Sequence, residues 1–367
     1  MTVTEMPGSV RPGPARQHRG TLVLSGWSAI SAYGVGRDAL AEGVRSGHSA
    51  VIDPAQPVVV PGFDVVEQLG GKGTRRMTRS TAFVATAIGA LLRELGPEVT
   101  RDPAQIGLVL GVGQGNVDVT MDFTRTALTG SKPYHVDAMR FPDTFLNRAA
   151  GHSAIWHHLK GPNTTLAGGR LSALLALSYA TRLYRGGHCP RLLVGATEEY
   201  SDARALLAEA AARRHGRTPA LGEGCMVTLL ESADDAAAAG HVPVATVLST
   251  HFRASPVPAD GAADLAACVR SALAKAGADA SRITLVVPLG ELAEPEDAGI
   301  REVIGESGAH WLRCRPLLGD SFAASAGLNL CAALAVGQHW PEHGDLALVT
   351  GIDQDGTVGC ALLGRPA

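Results

Sequence analysis

The stretch from Asn163 to Leu183 constrains the fold of this chain more than any other. It reads as a strand over Asn163 to Ala167, a tight turn at Gly168-Gly169, and a helix from Leu171 to Leu183 that is apolar on nearly every side. Such a helix belongs in the centre of a layered protein, because it has no polar face to offer water. The first N–H groups of a helix are unpaired and favour negative charge, so a strand-turn-helix of this kind usually presents a nucleophile or cradles an anion. Here the residue at the tip is Arg170. A cation opposes the helix dipole at that end and calls for a carboxylate partner.

The rest of the chain alternates strands and helices. Strands are expected at Thr21 to Trp27, Ile106 to Gly111, Arg191 to Glu199, Gly224 to Glu231, Val242 to Leu248, Ile283 to Pro288, Asp345 to Gly351 and Gly356 to Leu363. Between them the spacing predicts helices at Arg37 to Ser46, Thr78 to Leu95, Val117 to Leu128, Phe145 to Leu159, Ala203 to Arg214, Ala262 to Ala276, Glu294 to Gly305 and Phe322 to Gln338. This alternation argues for an α/β architecture with buried sheets. Two halves of similar rhythm suggest a duplication with its seam in the Ala-rich Ala236 to Gly240, giving regions 1–20, 21–236 and 237–367, the first expected to be a disordered tail.

Composition removes several classes of function. Net charge is −3, so nothing electrostatic favours nucleic acid or an anionic membrane. Aromatics are 4% of residues, so Ala, Leu, Val and Gly must fill the core. The six cysteines contain no CxxC pair and several lie in apolar runs, which points to reduced, buried thiols in a cytoplasmic protein. Gly111, Gly113 and Gly115 fall short of a dinucleotide fingerprint, since no acidic strand end follows, and read as a tight strand-to-helix turn. His152, His157 and His158 have poor ligand spacing, and no metal or cofactor is expected.

Over nearly its full length the chain resembles the β-ketoacyl synthases of the thiolase fold. The resemblance rests on Leu22 to Ile30, Arg75-Arg76-Met77, Gly161-Pro162-Asn163, Arg185-Gly186-Gly187, Gly195-Ala196-Thr197-Glu198, Leu221-Gly222-Glu223-Gly224 and Gly356-Thr357, the last a remnant of a GFGGTN loop. It implies a five-layered αβαβα architecture of two similar halves. It also implies a cysteine nucleophile at the start of the buried helix and two histidines, and at those three positions this chain has Arg170, Leu289 and Asp320. Asp297 matches the acidic residue eight positions after the first histidine. Arginine stays protonated and cannot attack a thioester, leucine has no donor, and aspartate at neutral pH only accepts hydrogen bonds.

A ketosynthase scaffold without its chemistry resembles the chain-length factor, the silent partner of an active ketosynthase in type II polyketide synthases. The usual residue at the cysteine position is then glutamine, so Arg170, with a shortened stretch between Arg214 and Gly222, suggests an outlying branch serving reduced polyene or fatty-acyl-like chains. The implied partners are an active ketosynthase, as a heterodimer, and an acyl carrier protein bearing the growing chain. Arg170 and Asp320 are expected to pair in the old active site; alternatively Arg170 reaches Glu198 or Glu199. Thr120, Met121, Phe123 and Thr124 are candidates for the wall of an acyl tunnel, the alternative being an ordinary core-facing helix. Phe141, Pro142, Asn163, Thr164 and Thr165 are candidates for the dimer interface. Other readings of the scaffold are an acyltransferase using Ser172 or a displaced cysteine, and a homodimer that binds acyl thioesters.

Overall fold

The order of strands in the sheet occurs twice. A computed structural model describes residues 20–215, 220–337 and 345–366. Its strands are β1 (Leu22–Ser31), β2 (Gly34–Val35), β3 (Ile106–Val112), β4 (Asn163–Ala167), β5 (Arg191–Glu198), β6 (Gly224–Ser232), β7 (Ala245–Ala254), β8 (Ile283–Pro288), β9 (His310–Trp311), β10 (Leu346–Ile352) and β11 (Thr357–Gly364). The first half runs β4-β3-β5-β6-β1 and the second β9-β8-β10-β11-β7. Exchanging β1 and β3 to β6 for β7 and β8 to β11 preserves both the order and the sense of every pairing: β3 is parallel to β4 and β5, and β8 to β9 and β10. The two sheets touch where Val23 and Leu24 pair with Thr246 and Ala245.

The longer helices are α1 (Arg37–Ser46), α2 (Arg79–Leu95), α3 (Val117–Thr129), α4 (Arg148–Trp156), α5 (Ser172–Arg185), α6 (Asp202–His215), α7 (Ala262–Ala276), α8 (Ala293–Ile304) and α9 (Ser325–Gly337). Three apolar cores fix their layering. Helices α5 and α9 lie between the sheets in the largest core, which takes Leu174 and Leu177 from α5 and Leu328, Leu330 and Leu334 from α9. Helices α2 and α4 cover the outer face of the first sheet. Helices α7 and α8 cover the second. The result is the five-layered αβαβα arrangement, with the all-round apolar helix at its centre, where its composition places it.

Close approach across the middle layer depends on a missing side chain. A Cβ on Gly327 of α9 would lie 2.5 Å from Met226 Cγ and 2.9 Å from Ala173 Cβ of α5. Gly327→Val is therefore expected to lose about 3 kcal/mol by overpacking, read as a lower urea midpoint at unchanged slope.

Several boundaries differ from the sequence reading. The helix expected from Phe145 starts at Arg148, after a 3₁₀ segment Ala138–Thr144 that contains Pro142. It ends at Trp156 because His158 takes a left-handed conformation, φ 57°. The strand expected over Val242 to Leu248 starts at Ala245 and continues to Ala254, paired along β11. Burial alternates over 245–249, and the polar 250–254 is half-buried to exposed, so apolar content alone hid it. The 50–75 region contains a short helix, Val65–Leu69, capped by the Asp64 carboxylate. The tail and the shortened stretch fall largely, and Gln338 wholly, outside the described residues.

Candidate functional site

Gly169 is the hinge of the turn before α5. It adopts φ 55°, and a side chain there would collide with the Asp353 carboxylate. That carboxylate does two things. Its Oδ2 accepts the Arg170 backbone N–H at 2.6 Å, just ahead of α5. Its Oδ1 accepts from Arg170 Nη1 at 2.8 Å. The Arg170 Nε donates to both oxygens of Asp320 at 3.1 Å, and Nη2 donates to Oδ2 at 2.6 Å. Glu291 Oε2 lies 3.5 Å from Nε, and the guanidinium stacks 5.0 Å over the Phe322 ring.

The cation that opposes the helix dipole is thus held by acids, two of them in direct hydrogen bonds. The structure brings Arg170 to Asp320 and not to Glu198 or Glu199. Asp320 is 1% exposed. Burial would raise its carboxyl, but Arg170, Arg315 and the hydrogen bonds of Arg170 hold it well below the usual range. Burial likewise works against the Arg170 charge, and the Asp320 and Asp353 carboxylates more than reverse it. Arg315 Nη2 bridges Glu291 at 2.5 Å and Asp320 at 3.2 Å. Arg204 clamps the backbone behind, donating to Gly222 O at 2.6 Å and Asp320 O at 2.8 Å.

Asp353 was missed in the sequence. Counting back from Gly356-Thr357 along the GFGGTN pattern places Asp353 and Asp355 on glycine positions, and that departure was the available signal. The two halves also mirror each other here. Glu198 ends β5 as Asp353 follows β10, and it accepts backbone N–H groups from Gln114 and from Ala323 ahead of α9. Each half therefore sends a carboxylate to the N-terminal end of the other half's central helix. Glu198 is pushed up to about 7 by burial, with Arg204 and the Gln114 N–H pulling the other way.

Leu289 is 1% exposed and packs in the central core. The acid serving its backbone is Glu296 rather than Asp297. Glu296 accepts from Leu289 N at 2.9 Å, Gly290 N at 2.8 Å and Thr350 Oγ1 at 2.7 Å, and burial pushes it up to about 7. Asp297 faces outward and pairs with Arg313 at 2.7 Å.

Among the described residues, no nucleophile is poised beside Arg170. Ser172 is fully buried, donates to Gly169 O at 2.7 Å and accepts from Gly168 N at 3.0 Å. The cysteines are all buried, and burial pushes the thiols of Cys225 and Cys314 up to about 12 and Cys268 up to about 11. His157 Nε2 is tied to Ala85 O at 2.8 Å, and among the described residues no group of three or more His, Cys, Asp or Glu is placed to hold a metal.

A cavity of about 740 Å³ opens in front of Arg170. Thr120, Met121, Phe123 and Thr124 do not line it. They lie on α3, which has no buried residue, so within the single chain α3 is neither a cavity wall nor a core-facing helix. Phe123 touches Phe141 instead, with ring centres 5.8 Å apart, and Phe141 stacks edge-on against Phe145 at 4.9 Å. Met121, Met139, Phe141, Phe145 and Leu146 leave apolar surface in water. Asn163, Thr164 and Thr165 lie on β4, which ends the sheet and pairs only with β3 among the described strands.

The profile described as Beta-ketoacyl synthase, N-terminal domain, matches residues 21–236. The solved structure of the ishigamide ketosynthase/chain length factor is 40% identical, with a TM-score of 0.85 over 95% of this chain and 100% of that one. A type II PKS acyl-carrier protein in complex with its ketosynthase, AntDE:AntF, superposes with a TM-score of 0.76 at 17% identity, over 95% of this chain and 100% of that one. Among sequences, the 3-oxoacyl-(acyl-carrier-protein) synthase 2 of Vibrio cholerae is 24% identical across 68% of this chain. The match spans 66% of that relative's length. The fold and the nucleophile-elbow position define a ketosynthase-like protein of the thiolase type. The chain belongs to the β-ketoacyl synthase family. Among the described residues, no helix is long and apolar enough to cross a membrane.

Proposed function

We propose that this chain is a chemically silent chain-length factor, the partner of an active ketosynthase that elongates acyl chains on an acyl carrier protein in type II polyketide biosynthesis, of the branch that makes highly reduced polyene chains. The observation that carries this reading is Arg170, locked by Asp320 and Asp353 where the family places its nucleophile. A guanidinium held this way stays protonated and cannot form a thioester. The 40% identity to the ishigamide ketosynthase/chain length factor supports the chain-length-factor reading. The exposed apolar surface of α3 and its neighbours, beside an edge strand with open backbone groups, supports pairing with a second ketosynthase-like chain through Phe141, Pro142 and β4. Across that interface Thr120, Met121, Phe123 and Thr124 would face the tunnel of the partner.

Purified chain incubated with malonyl or acyl carrier protein and weighed intact is expected to show no covalent acyl adduct, while an active ketosynthase treated in parallel gains the mass of its acyl group. An adduct on this chain contradicts the silent reading and favours the acyltransferase alternative.

A further inference from the structure

The cavity of about 740 Å³ before Arg170 has a lining of two parts. One wall is apolar, built from Leu207, Ala208, Ala211 and Ala212 of α6 with Val51 and Pro54 opposite. The other carries the charged groups. Glu291, Asp320, Asp353 and Asp355 line it against Arg170, Arg204 and Arg315, leaving one excess negative charge. The positive groups are already engaged: Arg170 and Arg315 by the acids, Arg204 by three backbone carbonyls. Asp355 differs from the other three acids. It is exposed, its Oδ1 accepts only the local Thr357 N–H at 2.8 Å, and it makes no ion pair among the described residues. A ligand entering this space meets apolar side chains along its length and an uncompensated carboxylate at the mouth.

We propose that the cavity binds an amphiphile whose polar end is an amine or an amide and not a carboxylate, with Asp355 as the residue that selects it. The volume lies within the range of small-molecule sites, where apolar walls supply most of the contact and a few polar groups set orientation. An ammonium or amide N–H donates to Asp355. A carboxylate of the same length is repelled by it, and finds Arg170 and Arg315 already paired with acids and the donors of Arg204 already taken by backbone carbonyls. The inference stands on the isolated chain and does not depend on its pairing with a ketosynthase, so either can fail without the other.

The test is calorimetric titration of the full chain with n-octylamine, octanamide and octanoate, each below its aggregation threshold. Octylamine is expected to bind at least about tenfold more tightly than octanoate, with octanamide between them. Asp355→Asn, an exposed change that leaves the core untouched, is expected to weaken octylamine about tenfold and erase the preference over octanoate. Ala208→Phe, which fills the apolar wall, is expected to remove binding of all three, with its circular-dichroism melt showing the chain folded. Octanoate binding as tightly as octylamine, no binding by any probe, or octylamine binding unchanged in Asp355→Asn would each overturn the proposal.

Discussion

Replacing Arg170 by glutamine is expected to destabilise the chain by about 3–5 kcal/mol at neutral pH, because removing one partner of a buried ionic cluster leaves the others uncompensated. Three acids would lose a cation: Asp320, Asp353 and Glu291, each at most 2% exposed, while among the described residues Arg315 stays in salt-bridge contact with Asp320 and Glu291. The pH dependence gives the loss a signature. In the native chain Asp320 is held below its unfolded value, so its contribution is present above that value and is lost as pH falls through the folded one. In Arg170→Gln, burial becomes dominant and the carboxyl takes up a proton more readily than in the unfolded chain. The deficit should therefore shrink on acidification from about pH 7 to about pH 5, which urea titrations at the two values would measure. Adding Asp320→Asn should recover part of the loss at pH 7. A deficit that is constant with pH would mean that Arg170 stabilises by packing on Phe322 rather than by charge.

Phe141→Asp is expected to abolish co-purification with a ketosynthase partner while leaving the chain folded. Phe141 is 50% exposed and sits between Phe123 and Phe145, so the substitution removes a central aromatic anchor and places a charge in an apolar surface. Interface anchors of this kind carry about 2 kcal/mol or more each. Tagged co-expression with candidate ketosynthases, followed by size-exclusion chromatography with light scattering, reads the outcome. Complex formation at wild-type yield would remove α3 and its neighbours from the interface.

The alternation of strands and helices, and the burial of α5, were legible because periodicity and apolar content are local properties of the chain. The Arg170–Asp320 pair was legible for a different reason: the family resemblance supplied which distant positions meet. Asp353 was not found, because the loop was recognised only by its surviving Gly356-Thr357, and the departures just before it went unread. Asp297 was matched from the resemblance and Glu296 was not considered, and a one-residue difference on a helix rotates a side chain from the core to the surface. The cavity wall was placed on α3 from the resemblance alone; in the chain that helix has no buried residue and lies away from the cavity.

The cation at the start of α5 finds its hydrogen-bonding acids at sequence separations of 150 and 183 residues. Contacts that far apart close large loops, whose entropy must be met before the contact returns anything, and chains dominated by them fold slowly. The consequence falls on synthesis. While the chain emerges from the ribosome, Arg170 is exposed long before Asp320 and Asp353 exist, and its backbone N–H ahead of α5 lacks its carboxylate until the chain has passed residue 353. The centre of this protein is therefore settled only once the distant loop that carries Asp353 has been made.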